Sequence, residues 1–417
     1  MNKNFKSASM IGLGYIGLPT AAMLASRKIK VVGVDINQHA VDTINRGEIH
    51  IVEPDLDMIV QAAVAQGYLR ATTQPEPADV FLIAVPTPFK GDHEPDLSYV
   101  ESATRSIAPV IKAGDLVILE STSPVGTTEQ MAGWLAEMRP DLSFPQQKGE
   151  QSDISIAYCP ERVLPGKVVS ELVNNDRIIG GMTRRCSRHA TELYKTFVTA
   201  ECIPTNARTA EMCKLTENSF RDVNIAFANE LSIICDNLGI NVWELIDLAN
   251  RHPRVDILKP GPGVGGHCIA VDPWFIVNRS PQEAKLIRVA REVNDAKPNL
   301  VVNKVKRSAE KFRNPKIACL GLSFKADIDD LRESPSLDIV KNLIAEEIGQ
   351  IIIVEPYIDV LPKVVDRNNS VLMELMKAID VADIILLLVD HKQFYEIDLS
   401  LLMQKVVIDT RGVFRKR

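Results

Sequence analysis

The residues with most chemical promise in this 417-residue chain sit in one glycine-rich stretch. Gly263-Val264-Gly265-Gly266-His267-Cys268 puts a thiol directly after glycines, with Asp272 shortly beyond. Glycines let a backbone approach a bulky ligand closely. A thiol is a competent nucleophile toward an aldehyde near neutral pH. Taken alone, Cys268 reads as a small core residue and His267 as a hydrogen-bonded one. A second group follows a helical pattern. Lys214, Asn218 and Arg221 recur at i, i+4 and i+7 and so share one helix face. The plain alternative is a solvated face, but so polar a stripe among apolar neighbours is unusual. An ammonium beside a thiol lowers its pKa and stabilises developing oxyanions. Glu161, in Tyr158-Cys159-Pro160-Glu161-Arg162, adds an acid in a turn.

A third group points to a dinucleotide. Gly12-Leu13-Gly14-Tyr15-Ile16-Gly17 follows an apolar run and precedes a helical pattern, which is the context a pyrophosphate-binding turn needs. Asp35 ends the next apolar run, near the spacing at which a carboxylate meets a ribose and repels a 2′-phosphate, so NAD is expected rather than NADP. The segments Val85-Pro86-Thr87-Pro88 and Ser121-Thr122-Ser123-Pro124-Val125-Gly126-Thr127-Thr128 offer hydroxyls for the nicotinamide ribose or an ordered water, or else for capping turns.

These groups need a scaffold. Residues 9–11, 31–35, 80–85 and 116–120 read as buried strands, with helical stretches such as 18–28 between them. That rhythm predicts a parallel, doubly wound sheet. A long proline-free helical pattern spans 206 to about 250, with Ala226, Leu231, Ile234, Leu238 and Leu245 as its apolar stripe. Another helix is expected from 282 to about 296, and residues 260–273 between them form a loop rich in Gly and Pro. Strands recur at 316–320, 351–354, 384–389 and 406–408. "ADVFLIAVPT" at 78–87 is echoed by "ADIILLLVDH" at 382–391, and "VVGVD" by "IIIVE". The expected fold is therefore α/β: two Rossmann-like doubly wound domains joined by a long central helical region, with boundaries at 1–200, 201–300 and 301–417.

The bulk numbers agree. Hydrophobic residues make 46% and charged residues 24%, and the net charge of -6 makes nucleic acid an unsuitable partner. The N-terminus lacks the apolar stretch of a signal peptide, and no run is long enough to span a membrane. A cytoplasmic location is expected. The seven cysteines are odd in number, scattered and without a C-x-x-C pair, which argues against disulfides and structural zinc, so no metal is expected.

Together these pieces resemble the UDP-glucose/GDP-mannose dehydrogenase family over nearly the whole chain. The matching stretches stand in the family's order: "GLGYIGLP" at 12–19, "VPTP" at 85–88, "STSPVGTT" at 121–128 and "PERVLPG" at 160–166, then "AEMCKLTEN" at 210–218, "PGPGVGGHCIAVDP" at 260–273 and "GLSFKADIDDLRESPS" at 321–336. "ANRHPRV" at 249–255, "GEIHIVEPDL" at 47–56 and "IAVPTPFKGDHEPD" at 83–96 look like the bacterial branch that acts on UDP-N-acetyl-D-mannosamine. Other sugars that the family oxidises are UDP-glucose, UDP-N-acetylglucosamine and GDP-mannose.

The resemblance implies an NAD-dependent four-electron oxidation at C6 of the sugar. Cys268 would be the nucleophile, passing through a thiohemiacetal and a thioester. Lys214 would act as acid/base or oxyanion partner, with Asn218 helping. Asp272 and Glu161, with Thr122, would handle protons and water. Arg162, Val163, Lys214, Asn218, Arg221, Gly265, Lys325 and Arg411 would contact the sugar nucleotide. His252 and Arg254 would do so from the partner subunit of a homodimer. Gly12, Gly14, Tyr15, Ile16, Gly17, Asp35, Thr87 and Thr128 would hold NAD, with Arg332 nearby. The product would feed an acidic surface polysaccharide, of which the enterobacterial common antigen is an example. Two rivals remain. A one-step NAD alcohol dehydrogenase of the 3-hydroxyacid type needs neither the second α/β domain nor the GGHC loop. A non-catalytic NAD-responsive regulator needs no pairing of Cys268 with Lys214.

Overall fold

A computed structural model describes residues 5–51, 53–164, 166–266, 268–365 and 369–415. His267 lies outside them. The chain divides into two compact units between Glu217 and Asn218.

The first unit holds β1 (Ser7–Ile11), β2 (Lys30–Val34), β3 (Leu69–Thr72), β4 (Val80–Ile83), the short hairpin β5 (Phe89–Lys90) and β6 (Glu94–Pro95), then β7 (Leu116–Leu119), β8 (Ser155–Tyr158), β9 (Arg177–Gly181) and β10 (Cys202–Asn206). Eight of them form one sheet in the order β10-β9-β8-β7-β4-β1-β2-β3, parallel except for the β8–β9 pair. Strands such as Val80–Ile83 and Leu116–Leu119 are buried along their length, as continuous Val/Ile/Leu/Phe runs require when helices cover both faces. Separate apolar clusters lie on the two faces. The strand order reverses beside β1, and the carboxyl ends of β1 and β4 are where sheets of this kind bind their ligands.

The second unit carries β11 (Lys316–Leu320), β12 (Gln350–Val354), β13 (Ser370–Leu372), β14 (Ile384–Leu387) and β15 (Val406–Asp409) in the order β13-β12-β11-β14-β15, all parallel. The expected echo is present in atomic detail. Gly12 and Gly321 follow the first strand of each sheet with φ of 93° and 94°, and each donates its N–H over 2.8 Å to the strand beside it, at Val34 and Val354. Asp35 accepts from Leu13 N and Asn37 N, both at 2.9 Å. Glu355 likewise accepts from Leu322 N (2.7 Å), Ser323 N (3.1 Å) and Tyr357 N (3.2 Å), and the buried His391 adds its Nε2 at 3.2 Å.

The expected strands form, shifted at their ends by a residue or two. Those the sequence did not reveal, β3, β5, β6, β8, β9, β10 and β13, are short or carry charges and prolines; Pro204 sits on the edge strand β10, where its missing N–H costs no ladder bond. Two helical expectations need correction. The stretch 206–250 is two helices, Ala207–Leu238 and Val242–Ala249. Gly239 breaks it at φ 69°, and the Asn241 side chain caps the second helix by accepting from Trp243 N and Glu244 N. The helix expected to end near 296 instead runs Lys285–Ala309 through Pro298. Its second half places Val301, Val302, Val305 and Ala309 in the core of the β11–β15 sheet, and that burial outweighs the bond lost at proline.

The stripe on Ala207–Leu238 is also corrected. Ala226 is buried, but Ile234 and Leu238 are exposed, as are Phe220 and Phe227. The buried side of this helix in the second unit is instead largely polar: Ser219, Asp222, Asn229 and Ser232. Among the described residues no helix is long and apolar enough to cross a membrane.

Candidate active site

In the first unit the G-x-G-x-x-G turn is shaped by steric need. A Cβ on Gly12 would lie 2.4 Å from the Ala84 carbonyl oxygen, and one on Gly17 would lie 1.8 Å from that of Gly12. Gly14 faces open space. The helix Gly17–Ser26 starts at Ile16, with no side-chain cap and no acid in its first turn, so its N-terminus suits an anionic pyrophosphate. Tyr15 is exposed and Ile16 half-buried beside it. Asp35 is anchored by Leu13 N and Asn37 N, which fixes its carboxylate at the end of β2. His50 feels that carboxylate's charge; burial lowers the imidazole pKa and Asp35 opposes the shift. These residues fit the adenosine end of NAD.

The threonines are tied into the scaffold of the turns. Thr87 Oγ1 donates to Thr122 O at 2.6 Å, and Ser121 Oγ to Val85 O at 2.7 Å, tying the β4 and β7 ends together. Thr128 Oγ1 and N both bond Glu211 Oε1, while Gly126 N bonds its Oε2. Glu211, buried on the helix that bears Lys214, thus pins the turn at 121–128; burial raises its pKa and the Thr128 and Gly126 bonds oppose that.

Glu161 is buried in an ion pair with Arg177 at 2.9 Å, and one of its oxygens accepts from Arg162 N. The Arg177 guanidinium lies over the Tyr194 ring, 4.7 Å from its centroid, and Tyr194 Oη donates to Glu120 Oε1 at 2.5 Å. Burial pushes Glu120 up to about 7 and the Cys159 thiol up to about 12. Arg162 pairs with Glu217 at 2.8 Å, one helical turn beyond Lys214, so the Glu161 turn and the lysine's helix are brought together. Glu53 holds the same turn by accepting from Gly166 N (2.8 Å) and Val168 N (2.7 Å). Val163 packs against the core beneath.

In the second unit Asn218 Nδ2 donates to Asp272 Oδ2 at 2.5 Å. Asp272 N and Val271 N donate to Cys268 O at 2.9 and 3.0 Å, so the cysteine sits one turn ahead of Asp272. Of the seven cysteines, 159, 186, 235 and 319 are buried, 202 and 213 half-buried, and Cys268 alone is exposed. Burial pushes Cys319 up to about 12, which leaves it a thiol. Two glycines ahead of Cys268 are required by packing: a Cβ on Gly265 would come 2.3 Å from Glu333 O, and one on Gly263 2.8 Å from Pro335 Cβ. A Cβ on Gly261 would come 2.7 Å from a guanidinium nitrogen of Arg411 and would displace that side chain. Arg411 also lies 3.3 Å from Asp390. The loop therefore runs against Arg411, one of the residues that the sequence nominates for the nucleotide. Lys325, Arg221, His252 and Arg254 are exposed, and Arg332 is paired with Asp330.

Sequence reasoning did not find Glu53, Glu120, Arg177, Tyr194, Glu211 or the buried polar face of the long helix. Each acts on a segment remote in the chain, and only the identity of a charged residue inside an apolar context hinted at it.

Known proteins supply a comparison. Residues 6–198 match the NAD binding domain of the UDP-glucose/GDP-mannose dehydrogenase family, 208–296 its central domain and 318–416 its UDP binding domain. A Ralstonia nicotianae protein named NDP-N-acetyl-D-galactosaminuronic acid dehydrogenase is 66% identical over 411 residues, covering 99% of this chain and 97% of the relative. A UDP-N-acetyl-D-mannosamine dehydrogenase of Escherichia coli is 64% identical over 420 residues, covering 99% and 100%. Among solved structures, a UDP-N-acetyl-mannosamine dehydrogenase from Staphylococcus aureus superposes with a TM-score of 0.85 at 41% identity, covering 99% of this chain and 96% of that one.

Proposed function

Because the chain belongs to the UDP-glucose/GDP-mannose dehydrogenase family and carries its NAD binding domain, we propose that it oxidises C6 of UDP-N-acetyl-D-mannosamine to the carboxylate of UDP-N-acetyl-D-mannosaminuronate. The observation that carries this reading is the single exposed cysteine, held one turn from an aspartate that Asn218 clamps. Near-full-length relatives at 64–68% identity that are named for this substrate support the sugar.

Overall, the alcohol, two NAD+ and one water give the carboxylate, two NADH and three protons. NAD, when bound along Gly12–Gly17 and Asp35, supplies the hydride acceptor for both oxidations. Lys214, or a water held by Asp272, takes the hydroxyl proton as the alcohol becomes an aldehyde. Cys268 Sγ adds to the aldehyde carbon and holds it as a thiohemiacetal, which prevents escape. Lys214 and Asn218 donate to the oxygen that gains charge; one such donor is worth about 3–4 kcal/mol in the transition state. After the second oxidation the carbon is a thioester. Water, placed by Glu161 and Thr122, adds to it, and Cys268 leaves as thiolate.

We read residues 1–200, 201–300 and 301–417 as the NAD, central and UDP-sugar modules, with Arg162, Val163, Gly265, Lys325 and Arg411 on the sugar nucleotide. Phe220, Phe227 and Ile234 recur every seven residues at 70%, 53% and 46% exposure on the long helix. So apolar a stripe suits a second copy of the chain, which makes the protein a homodimer whose His252 and Arg254 reach the partner's site. The enzyme is assigned to the cytoplasm and to supply of a surface polysaccharide.

The test is turnover of a panel of nucleotide sugars, followed as NADH per sugar consumed. Two NADH per sugar and preference for UDP-N-acetyl-D-mannosamine are expected. Preference for UDP-N-acetylgalactosamine, which the Ralstonia relatives put on the panel, or for UDP-glucose overturns the sugar. Cys268→Ser making acid at a near-normal rate overturns the covalent scheme.

A further inference from the structure

The buried polar face of the long helix has a direction. Asp222, Asn229, Arg291 and Asn294 are all essentially inaccessible to solvent. Arg291 Nη1 donates to Asp222 Oδ1 at 2.6 Å. Asn294 Nδ2 donates to that same oxygen at 2.8 Å and to Asp222 O at 3.1 Å. Asn229 Nδ2 donates to Asn294 Oδ1 at 2.8 Å, and Gly261 N donates to Asn229 Oδ1 at 2.8 Å. A carboxylate only accepts. Asp222 therefore obliges Asn294 to present its NH2, which turns the Asn294 oxygen toward Asn229 and the Asn229 oxygen toward Gly261. No amide in the chain can flip without leaving two like groups face to face, at a cost of about 1–3 kcal/mol for each buried group left unmet.

Gly261 opens the loop that ends at Asp272, and Asp272 is held by Asn218 on the same helix as Asn229. One rigid helix thus grips both ends of the segment that carries Cys268. We propose that Asn229 and Asn294 are positioning residues for the Cys268 loop, transmitting the orientation fixed by the Asp222–Arg291 pair to the Gly261 backbone. The proposal rests on Cys268 being the nucleophile of the reaction above.

Asn229→Ala and Asn294→Ala test it in the full-length protein. Misplacing a reacting group by about 1 Å costs on the order of 100-fold, so kcat is expected to fall roughly 10–100-fold with KM changing much less. Amide hydrogen exchange is expected to quicken in peptides covering 258–272 and to stay unchanged in those covering the G-x-G-x-x-G turn. The rate at which iodoacetamide alkylates Cys268, read by mass spectrometry, should change in the same variants. Lys297→Met is the control. It disturbs the same pair of helices, where Lys297 bonds the Ser232 hydroxyl that donates to the Asn229 backbone carbonyl, but leaves every side-chain amide of the relay to Gly261 in place, and kcat should hold within about twofold. Unchanged loop exchange with kcat intact in both asparagine variants overturns the proposal, as does an equal loss of kcat in Lys297→Met. Failure of the nucleophile reading shows separately, as acid formation by Cys268→Ser, and leaves the exchange result to judge the anchoring.

Discussion

Glu120→Gln should change how stability depends on pH. Glu120 is buried at the end of β7, accepts from Tyr194 Oη, and sees Arg177 committed to Glu161 at 2.9 Å. Burial is the largest cause of its rise from 4.5 to about 7; Arg177 opposes the rise and Glu161 adds to it. A carboxyl raised on folding keeps a proton that the unfolded chain releases. Its contribution to stability is therefore complete below about 4.5 and is lost as pH climbs to about 7. At 1.36 kcal/mol per unit the loss is about 3 kcal/mol, or roughly 6–12 °C in Tm for a unit of 150–250 residues. Glutamine retains an acceptor for Tyr194 and does not titrate. Its NH2 replaces an oxygen without a hydrogen-bond partner, which adds an offset that does not vary with pH. The difference in Tm between variant and parent, measured by calorimetry from pH 4 to 8.5, should thus move in the variant's favour by roughly 6–12 °C across that range. Other buried acids, Glu211 and Asp222, titrate in both proteins and cancel in the difference. Parallel Tm curves would show that Glu120 does not titrate as burial requires.

Three further outcomes follow from the described contacts. Lys297→Met should raise Tm at pH 7, because burial lowers this lysine to about 8 and the folded state bears the cost of its charge; the gain should fade as pH rises from 8 toward 10.5. Gly261→Ala would drive a Cβ into Arg411, 2.7 Å away, so KM for the sugar nucleotide should rise at least several-fold while the Kd for NADH, read by fluorescence, stays put. Glu53→Ala removes the acceptor for Gly166 N and Val168 N; two charge-assisted bonds at about 1.5–3 kcal/mol each predict a loss of a few kcal/mol and faster proteolysis near 160–168.

Much of this architecture is legible in the sequence because it obeys local rules. The glycines at 12, 14 and 17 and the acid at 35 stand at fixed offsets from apolar runs, and the structure returns them as a turn and an anchored carboxylate. Cys268 was one thiol among seven until the glycine loop, the Lys214–Asn218 stripe and the ordered family motifs singled it out, and exposure separates it from the rest. The polar lining is legible only in three dimensions. Arg177 gives no sign at the start of β9 that it meets Glu161 and overlies Tyr194. The long helix defeated periodicity for a physical reason: apolar residues were expected inside, yet Ile234 and Leu238 face out and Asn229 faces in, because the inward face must meet a backbone amide and a guanidinium. Pro298 misled for a similar reason, since the core beyond it rewards continuing the helix.

The paired turns at Gly12 and Gly321 admit a count of lone pairs. A carboxylate offers about four acceptor sites. Asp35 spends two of them on its own backbone, at Leu13 and Asn37, and retains two, which is what a vicinal diol asks for. Glu355 instead gathers Leu322 N, Ser323 N and the imidazole of His391 on Oε2, and gives Oε1 to Tyr357 N. The second turn keeps the shape of the first while one of its carboxylate oxygens is filled from within. One scaffold repeated twice in a chain thus presents two unlike carboxylates, one open to a diol and one turned inward by an extra backbone amide and a buried imidazole.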